Sequence, residues 1–195
     1  MVVASPRWAQ SLGLDLSVWT EDIARLQALT DSMLGLLRDD DPDQVCQRVS
    51  LQLVVGEAIN LVAPQALNQE IIIEDSVGKL EVKGNEQRLI QLVTILLDNA
   101  IKYSPKQSTV FISSTKKGKT TILCVRDEGI GMSEATKSAI FTRFYRADES
   151  RSTTPGYGLG MAIAKKIVDA HGGKIGIDSE PNKGSTVTIH LPSAI

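Results

Sequence analysis

Apolar and polar positions alternate with two different periods along this chain, and the changes of period divide it into elements. From about Trp19 to Arg38 the period is helical. Ile23, Leu26, Thr30, Met33 and Leu37 recur at spacings of three and four, and Leu29, Leu34 and Leu36 widen the stripe. Asp15 or Thr20 is placed to cap such a helix. So broad a stripe predicts packing in a bundle or dimer, the plainer alternative being a helix laid on a larger domain. Asp39-Asp40-Asp41-Pro42-Asp43 then breaks the pattern, because four acids around a proline repel one another and cannot continue a helix. This run is expected to be a solvated hinge that separates a helical segment, 1–41, from a domain spanning 42–195.

Beyond the hinge the two periods alternate. Short strands are predicted over Gln47–Leu51, Glu70–Glu74 and Lys79–Lys83, with a helix over Gln52–Leu67 that Pro64 should disturb near its end. Asn85 caps a long helix, Glu86–Tyr103, which Pro105 follows as a stop signal. Thr109–Thr115 and Thr120–Arg126, joined by Lys116-Lys117-Gly118-Lys119, read as a hairpin. A helix over Ser133–Phe144 and another over Gly158–His171, ended by Gly172-Gly173, precede a closing hairpin of Lys174–Ser179 and Ser185–Leu191. Mixed strands with helices gathered together predict the α+β class, a two-layer α/β sandwich with its helices on one face of a mixed sheet.

Composition narrows the partners. A chain of 195 residues, 42% hydrophobic and 23% charged, belongs with ordinary globular proteins. Net charge is −2 without a basic block, which argues against a nucleic-acid partner. No apolar run approaches the roughly 20 residues that span a bilayer, and Met1–Gln10 lacks the apolar core of a signal peptide, so a cytoplasmic location is expected. Cys46 and Cys124 lie far apart in apolar surroundings and read as small buried hydrophobes. Two histidines and no cysteine cluster leave no material for a zinc site.

The chemistry concentrates between Asp127 and Met161. Asp127-Glu128-Gly129-Ile130-Gly131-Met132 opens the stretch, and Gly156-Tyr157-Gly158-Leu159-Gly160-Met161 closes it. Glycines at alternate positions let backbone approach a ligand, since no Cβ stands in the way. The second cluster sits where a helix starts, and free N–H donors at a positive dipole end suit an anion such as phosphate. In the helix before it, Asn99 and Lys102 share a face. An amide oxygen suits the hard shell of Mg²⁺, and an ammonium suits a phosphate. A polar face turned to solvent is the bland alternative. Asp127, ending a strand before a glycine turn, could accept a hydrogen bond from the amine of adenine or merely shape the turn.

Taken together, these runs resemble the signature boxes of sensor histidine kinases. LVTILLDNAIKYSP, from Leu92 to Pro105, resembles the N box, DEGIGM the G1 box, and IFTRFYRAD the F box. GYGLGMAIAKKIVDAHGGKI resembles the G2 box, and GSTVTIHLP the closing strand. The resemblance covers about residues 45–192 with the boxes in order, and RLQALTDSMLGLLR resembles the second helix of the family's dimerisation domain. It implies the Bergerat ATP-binding sandwich shared with gyrase-type ATPases, with ATP and Mg²⁺ bound. Carried over by position, Asn99 holds Mg²⁺, Lys102 meets phosphate, Tyr103 stacks near adenine, and Asp127 reads its amino group. Gly129, Ile130 and Gly131 line the base pocket. Residues 145–157 correspond to the ATP lid, anchored by Phe141 and Phe144 and including Tyr145 and Arg146. Gly156, Tyr157, Gly158, Leu159 and Gly160 correspond to the phosphate-binding turn, and Thr186 to a contact on the closing strand.

The resemblance further implies a histidine kinase that donates the γ-phosphoryl of ATP to a histidine of a dimerisation segment, for relay to a response regulator. A homodimer is expected. Two departures qualify this. Ile95 stands where the family usually has Asn and gyrase-type hydrolases have a general-base Glu, so rapid ATP hydrolysis is not expected. Residues 1–30 contain no His, so autophosphorylation of this chain alone is not expected. His171 beside two glycines reads as structural, and His190 as facing solvent. A nucleotide-binding regulator that transfers nothing remains the non-enzyme alternative, and an anti-sigma-type serine kinase the other enzyme.

Overall fold

The computed structural model describes residues 47–147 and 157–194. The predicted helix over 19–38, the segment 1–41, Cys46 and Gly156 lie outside the described residues.

Eleven elements follow in order among the described residues: β1 (Gln47–Ser50), α1 (Leu51–Asn68), β2 (Ile72–Ser76), β3 (Glu81–Gly84), α2 (Glu86–Tyr103), β4 (Thr109–Lys117), β5 (Thr120–Asp127), α3 (Glu134–Ala139), α4 (Gly160–Ala170), β6 (Lys174–Ser179) and β7 (Ser185–Pro192). Five strands form one mixed sheet in the order β2-β4-β5-β7-β6, with β2 and β4 parallel and the other pairs antiparallel. β1 and β3 form a separate antiparallel pair. Residues after β7 link this pair to the main sheet: the Ala194 N–H donates to Glu81 O of β3, and Ser193 Oγ meets Thr121 Oγ1 of β5 at 2.8 Å.

Alternation along the strands decides what the sheet buries. Val110 and Ile112 of β4, Thr121, Leu123 and Val125 of β5, and Ile189 and Leu191 of β7 are buried on one face. The helices supply the matching stripes. α1 buries Leu51, Val54, Val55, Ala58, Val62 and Ala66, and α2 buries Leu89, Leu92, Val93, Leu96, Leu97, Ala100 and Ile101. α4 buries Met161, Ala162, Ile163, Ala164, Ile167 and Val168. Burying a side chain such as Leu97 contributes about 2 kcal/mol, so this shared core is what holds the site's elements in register. The opposite face carries Arg126 stacked over the Phe111 ring at 4.3 Å, with Thr186, Thr188 and His190 in the neighbouring strand.

Local chemistry sets the boundaries. Asn85 Oδ1 accepts from the Arg88 N–H at 3.0 Å and caps α2, and Ser104 turns extended before Pro105. α1 runs through Pro64 to Asn68, further than expected. Pro64 is exposed, so the carbonyl it leaves without a partner faces water. α1 then ends in a Schellman closure: Glu70 turns left-handed (φ 56°), the Ile71 N–H reaches Ala66 O and the Glu70 N–H reaches Leu67 O. That closure uses Glu70 and Ile71, which is why β2 starts at Ile72 and not at Glu70. α4 ends the same way through Gly172 (φ 64°), with the Gly173 N–H on Val168 O. The helix expected over Ser133–Phe144 stops at Ala139. Turns follow, and Phe144 itself is left-handed (φ 63°), a conformation a helix cannot contain.

Candidate functional site

The site residues come from four places: the end of α2, the turn after β5, the segment after α3, and the start of α4. Gly84 and His171 hold two of them together from behind. The buried His171 ring accepts the Asn85 N–H on Nε2 at 3.0 Å and meets Ile167 O through Nδ1 at 2.7 Å, so Nδ1 carries the proton. A Cβ on Gly84 would fall 2.6 Å from this ring. The start of α2 is thereby tied to the end of α4.

At the other end of these helices the sequence-predicted residues meet. Asn99 lies beside the first residue of α4: a Cβ on Gly160 would stand 3.9 Å from Asn99 Nδ2 and 3.3 Å from Ile95 Cγ2. Leu159 is the N-cap residue and its side chain has no acceptor to offer, so among the described residues the first-turn N–H groups of α4 receive no side-chain cap from it. Its side chain is buried, leaving only its backbone for a ligand. Lys102, one turn beyond Asp98, forms an ion pair with it on the half-buried flank of α2. Tyr103 ends the helix, and its carbonyl accepts the Ile130 N–H at 3.1 Å.

Asp127 ends β5 half-buried. Its Oδ1 accepts two backbone donors, the Gly129 N–H at 2.8 Å and the Ser185 N–H at 3.1 Å. Burial pushes this carboxyl above the usual range, against the two backbone bonds, which act in the opposite direction. Oδ2 receives no hydrogen bond from the described residues. Ser185 is the contact that sequence reasoning missed. Asp127 pairs with Ser185 across β5 and β7, so their side chains share a face, whereas Thr186 pairs with Arg126 on the other face of the sheet. Thr186 therefore does not join the site. The alternation that sent Val187, Ile189 and Leu191 inward held the signal, since Ser185 is in phase with them.

The glycines act differently from the simplest reading. A Cβ on Gly129 would fall 2.5 Å from Tyr103 O, and one on Gly158 would fall 2.5 Å from Tyr145 O. Gly131, left-handed, abuts the carbonyl of Glu180. Gly129, Gly131 and Gly158 let protein backbone approach protein backbone, while a Cβ on Gly129 would also fall 2.8 Å from Asp127 Oδ1 and Gly160 faces the Asn99 amide. The Phe144 N–H donates to Gly158 O at 2.9 Å, which joins the residues on either side of 145–157. Ile130 (51% exposed), Phe144 (58%) and Tyr157 (37%) present apolar surface around this region, while Phe141, Tyr145 and Arg146 are half-buried.

A five-stranded mixed sheet backed by helices, with an uncapped helix start beside an asparagine and a strand-end aspartate, defines an ATPase-type nucleotide domain. Residues 84–195 match the family described as histidine kinase-, DNA gyrase B-, and HSP90-like ATPase, and the chain belongs to it. Within that family it is similar to sensor histidine kinases. It is 37% identical over 171 residues to the sensor histidine kinase YkoH of Bacillus subtilis, covering 87% of this chain and 37% of that protein. It is 34% identical over 190 residues to the signal transduction histidine-protein kinase ArlS of Staphylococcus aureus, covering 94% of this chain and 42% of that protein. Among solved structures it is similar to the mycobacterial sensor histidine kinase MprB, with a TM-score of 0.69 and 28% identity over 76% of this chain and 98% of that one. The chain thus spans about two fifths of the curated relatives it matches, and what it carries is the catalytic domain of a histidine kinase. The sandwich expected from the sequence is the fold observed.

Proposed function

We propose that this chain binds MgATP and donates its γ-phosphoryl to a histidine on another segment or chain, from which a response regulator aspartate later takes it. The observation that supports this best is the pairing of the uncapped α4 start at Gly160 with the Asn99 amide beside it. N–H donors and a positive dipole end receive phosphate oxygens. At 195 residues the chain is proposed to divide near residue 41 into part of a dimerisation segment and the catalytic domain.

Each residue has a role in this reading. The Asn99 side chain has no hydrogen-bond partner among the described residues, so its amide oxygen is available to Mg²⁺. One amide oxygen fits that ion, which usually keeps waters and takes phosphate oxygens for the rest of its octahedral shell. When bound, Mg²⁺ would supply charge neutralisation along the phosphate chain. Lys102 meets phosphate by turning from Asp98, and Asp127 Oδ2 accepts from the exocyclic amine of adenine. Ile130, Tyr103 and Tyr157 offer the base an apolar surround. Phosphoryl transfer asks mainly for positioning and charge, which these groups provide without a general base. Ile95 beside Gly160 places hydrocarbon where a water would need orienting, which favours transfer to protein over hydrolysis.

The acceptor must come from elsewhere. Both nitrogens of His171 are engaged in a buried ring, and His190 lies on the sheet face away from the helices. Incubation with γ-labelled ATP tests the reading, first alone and then with a separate His-bearing dimerisation fragment. Acid-labile, base-stable label on the fragment alone is the expected result. No label on either protein, with ATP binding intact, would leave a nucleotide-binding regulator, the reading that Ile95 also fits. Acid-stable label on serine would indicate a serine kinase.

A further inference from the structure

The turn between β6 and β7, Glu180–Gly184, has no part in the reaction above, yet its contacts converge on the Asp127 turn. The Asn182 N–H donates to Ile130 O at 2.7 Å, and the neighbouring Ser185 N–H donates to Asp127 Oδ1 at 3.1 Å. The glycines interlock: Gly131 lies against the Glu180 carbonyl, and Gly184 against the Asp127 carbonyl, each too close for a Cβ. The turn is itself braced. Ser179 Oγ donates to Gly184 O at 2.9 Å and meets Ser185 Oγ at 3.0 Å, while the Lys183 N–H closes on Glu180 O at 3.1 Å.

Asn182 sits at the apex with φ 61°, left-handed without being glycine. Asparagine tolerates that conformation far better than other side chains, and β-branched residues tolerate it least. The left-handed residue is what aims its N–H at Ile130 and not out to solvent. We propose that Asn182 is a positioning residue for adenine selection: it holds the 127–131 turn so that the free oxygen of Asp127 faces the base. This rests on the reading of Asp127 as the group that accepts from the adenine amine. A hairpin tip that merely stabilised the sheet would affect melting but not the choice of base.

The test compares ATP with ITP, whose base has a carbonyl in place of the amine, by calorimetry on the full chain. Asn182→Val, Asn182→Ala and Asn182→Gly are measured well below their melting temperatures. Asn182→Val is expected to weaken ATP about tenfold and ITP less than twofold, Asn182→Ala to fall between, and Asn182→Gly to match the parent. Should Asn182→Val not fold, Asn182→Ala against Asn182→Gly makes the same comparison. Unchanged ATP affinity, an equal loss for both nucleotides, or a glycine variant as weak as valine would each overturn the proposal. A parent that binds ATP and ITP equally would instead remove the role of Asp127 and this proposal with it, so the two failures are told apart.

Discussion

Asp127 spends one carboxylate oxygen on two backbone N–H groups, which leaves a single oxygen with a defined direction. Asparagine in its place would keep its carbonyl on those donors and turn an NH₂ toward the adenine amine, setting donor against donor. Asp127→Asn is therefore expected to weaken ATP at least about tenfold while pyrophosphate binds as before, which calorimetry with both ligands would check. The raised carboxyl adds a pH dependence. Accepting from the amine requires the ionised form, so ATP affinity should fall as pH drops through the raised value, at higher pH than for an ordinary Asp. Stability moves in the opposite direction. Between the unfolded value, 3.8, and the raised folded value the native state holds more protons, so ionising Asp127 costs stability as pH rises. Melting of the parent should thus fall relative to Asp127→Asn across that window, and a constant difference would contradict the buried-carboxylate account.

At the scale of elements, the helix ends offer paired tests of opposite sign. Gly172 is left-handed with open space where a Cβ would stand, so Gly172→Ala should cost about 1 kcal/mol from backbone strain alone. Glu70 occupies the equivalent place after α1 and bears that strain already, so Glu70→Gly should raise stability by up to about 1 kcal/mol in urea unfolding. His171→Leu would remove the acceptor of the part-buried Asn85 N–H, while Ile167 O keeps the backbone N–H of residue 171, costing about 1–3 kcal/mol by the same measurement. These ends also show what was legible beforehand. The span Glu86–Tyr103 could be read to the residue, because Asn85, a period of 3.6 and Pro105 all act locally. The Schellman closure at Glu70 could not, since nothing in a Glu announces a left-handed turn. The hairpin-to-turn interlock was likewise invisible, because the contact between Gly131 and Glu180 crosses about fifty residues of sequence. The candidate site residues could be named through their motif positions, but Ser185 and Asn182, which donate to Asp127 and Ile130, are placed by register between strands. Register is a property of the assembled sheet.

Across the whole domain, two different kinds of support converge on one ligand. α2 and α4 pack through a common core and are tied behind by His171, so the Asn99 amide and the α4 start keep their spacing as a rigid pair. The base end is held by strands, through Asp127 and the turns that brace it. In the proposed reading helices would hold the phosphate end and the sheet the base end, so the two halves of nucleotide binding should be separable by mutation. Asn99→Ala removes only the side-chain amide, its oxygen and its NH₂ together, from the helical half. It should abolish the gain in ATP affinity that Mg²⁺ provides while leaving adenosine binding and metal-free ATP binding within about twofold of the parent. Titrations of ATP with and without Mg²⁺, and of adenosine, measure the three quantities on one protein. A variant that still responds to Mg²⁺ would mean the metal is held by the nucleotide alone, and Asn99 would then be a phosphate donor through its NH₂. Loss of adenosine binding as well would mean the two ends are coupled through α2, whose last residue, Tyr103, accepts the Ile130 N–H at the edge of the base pocket.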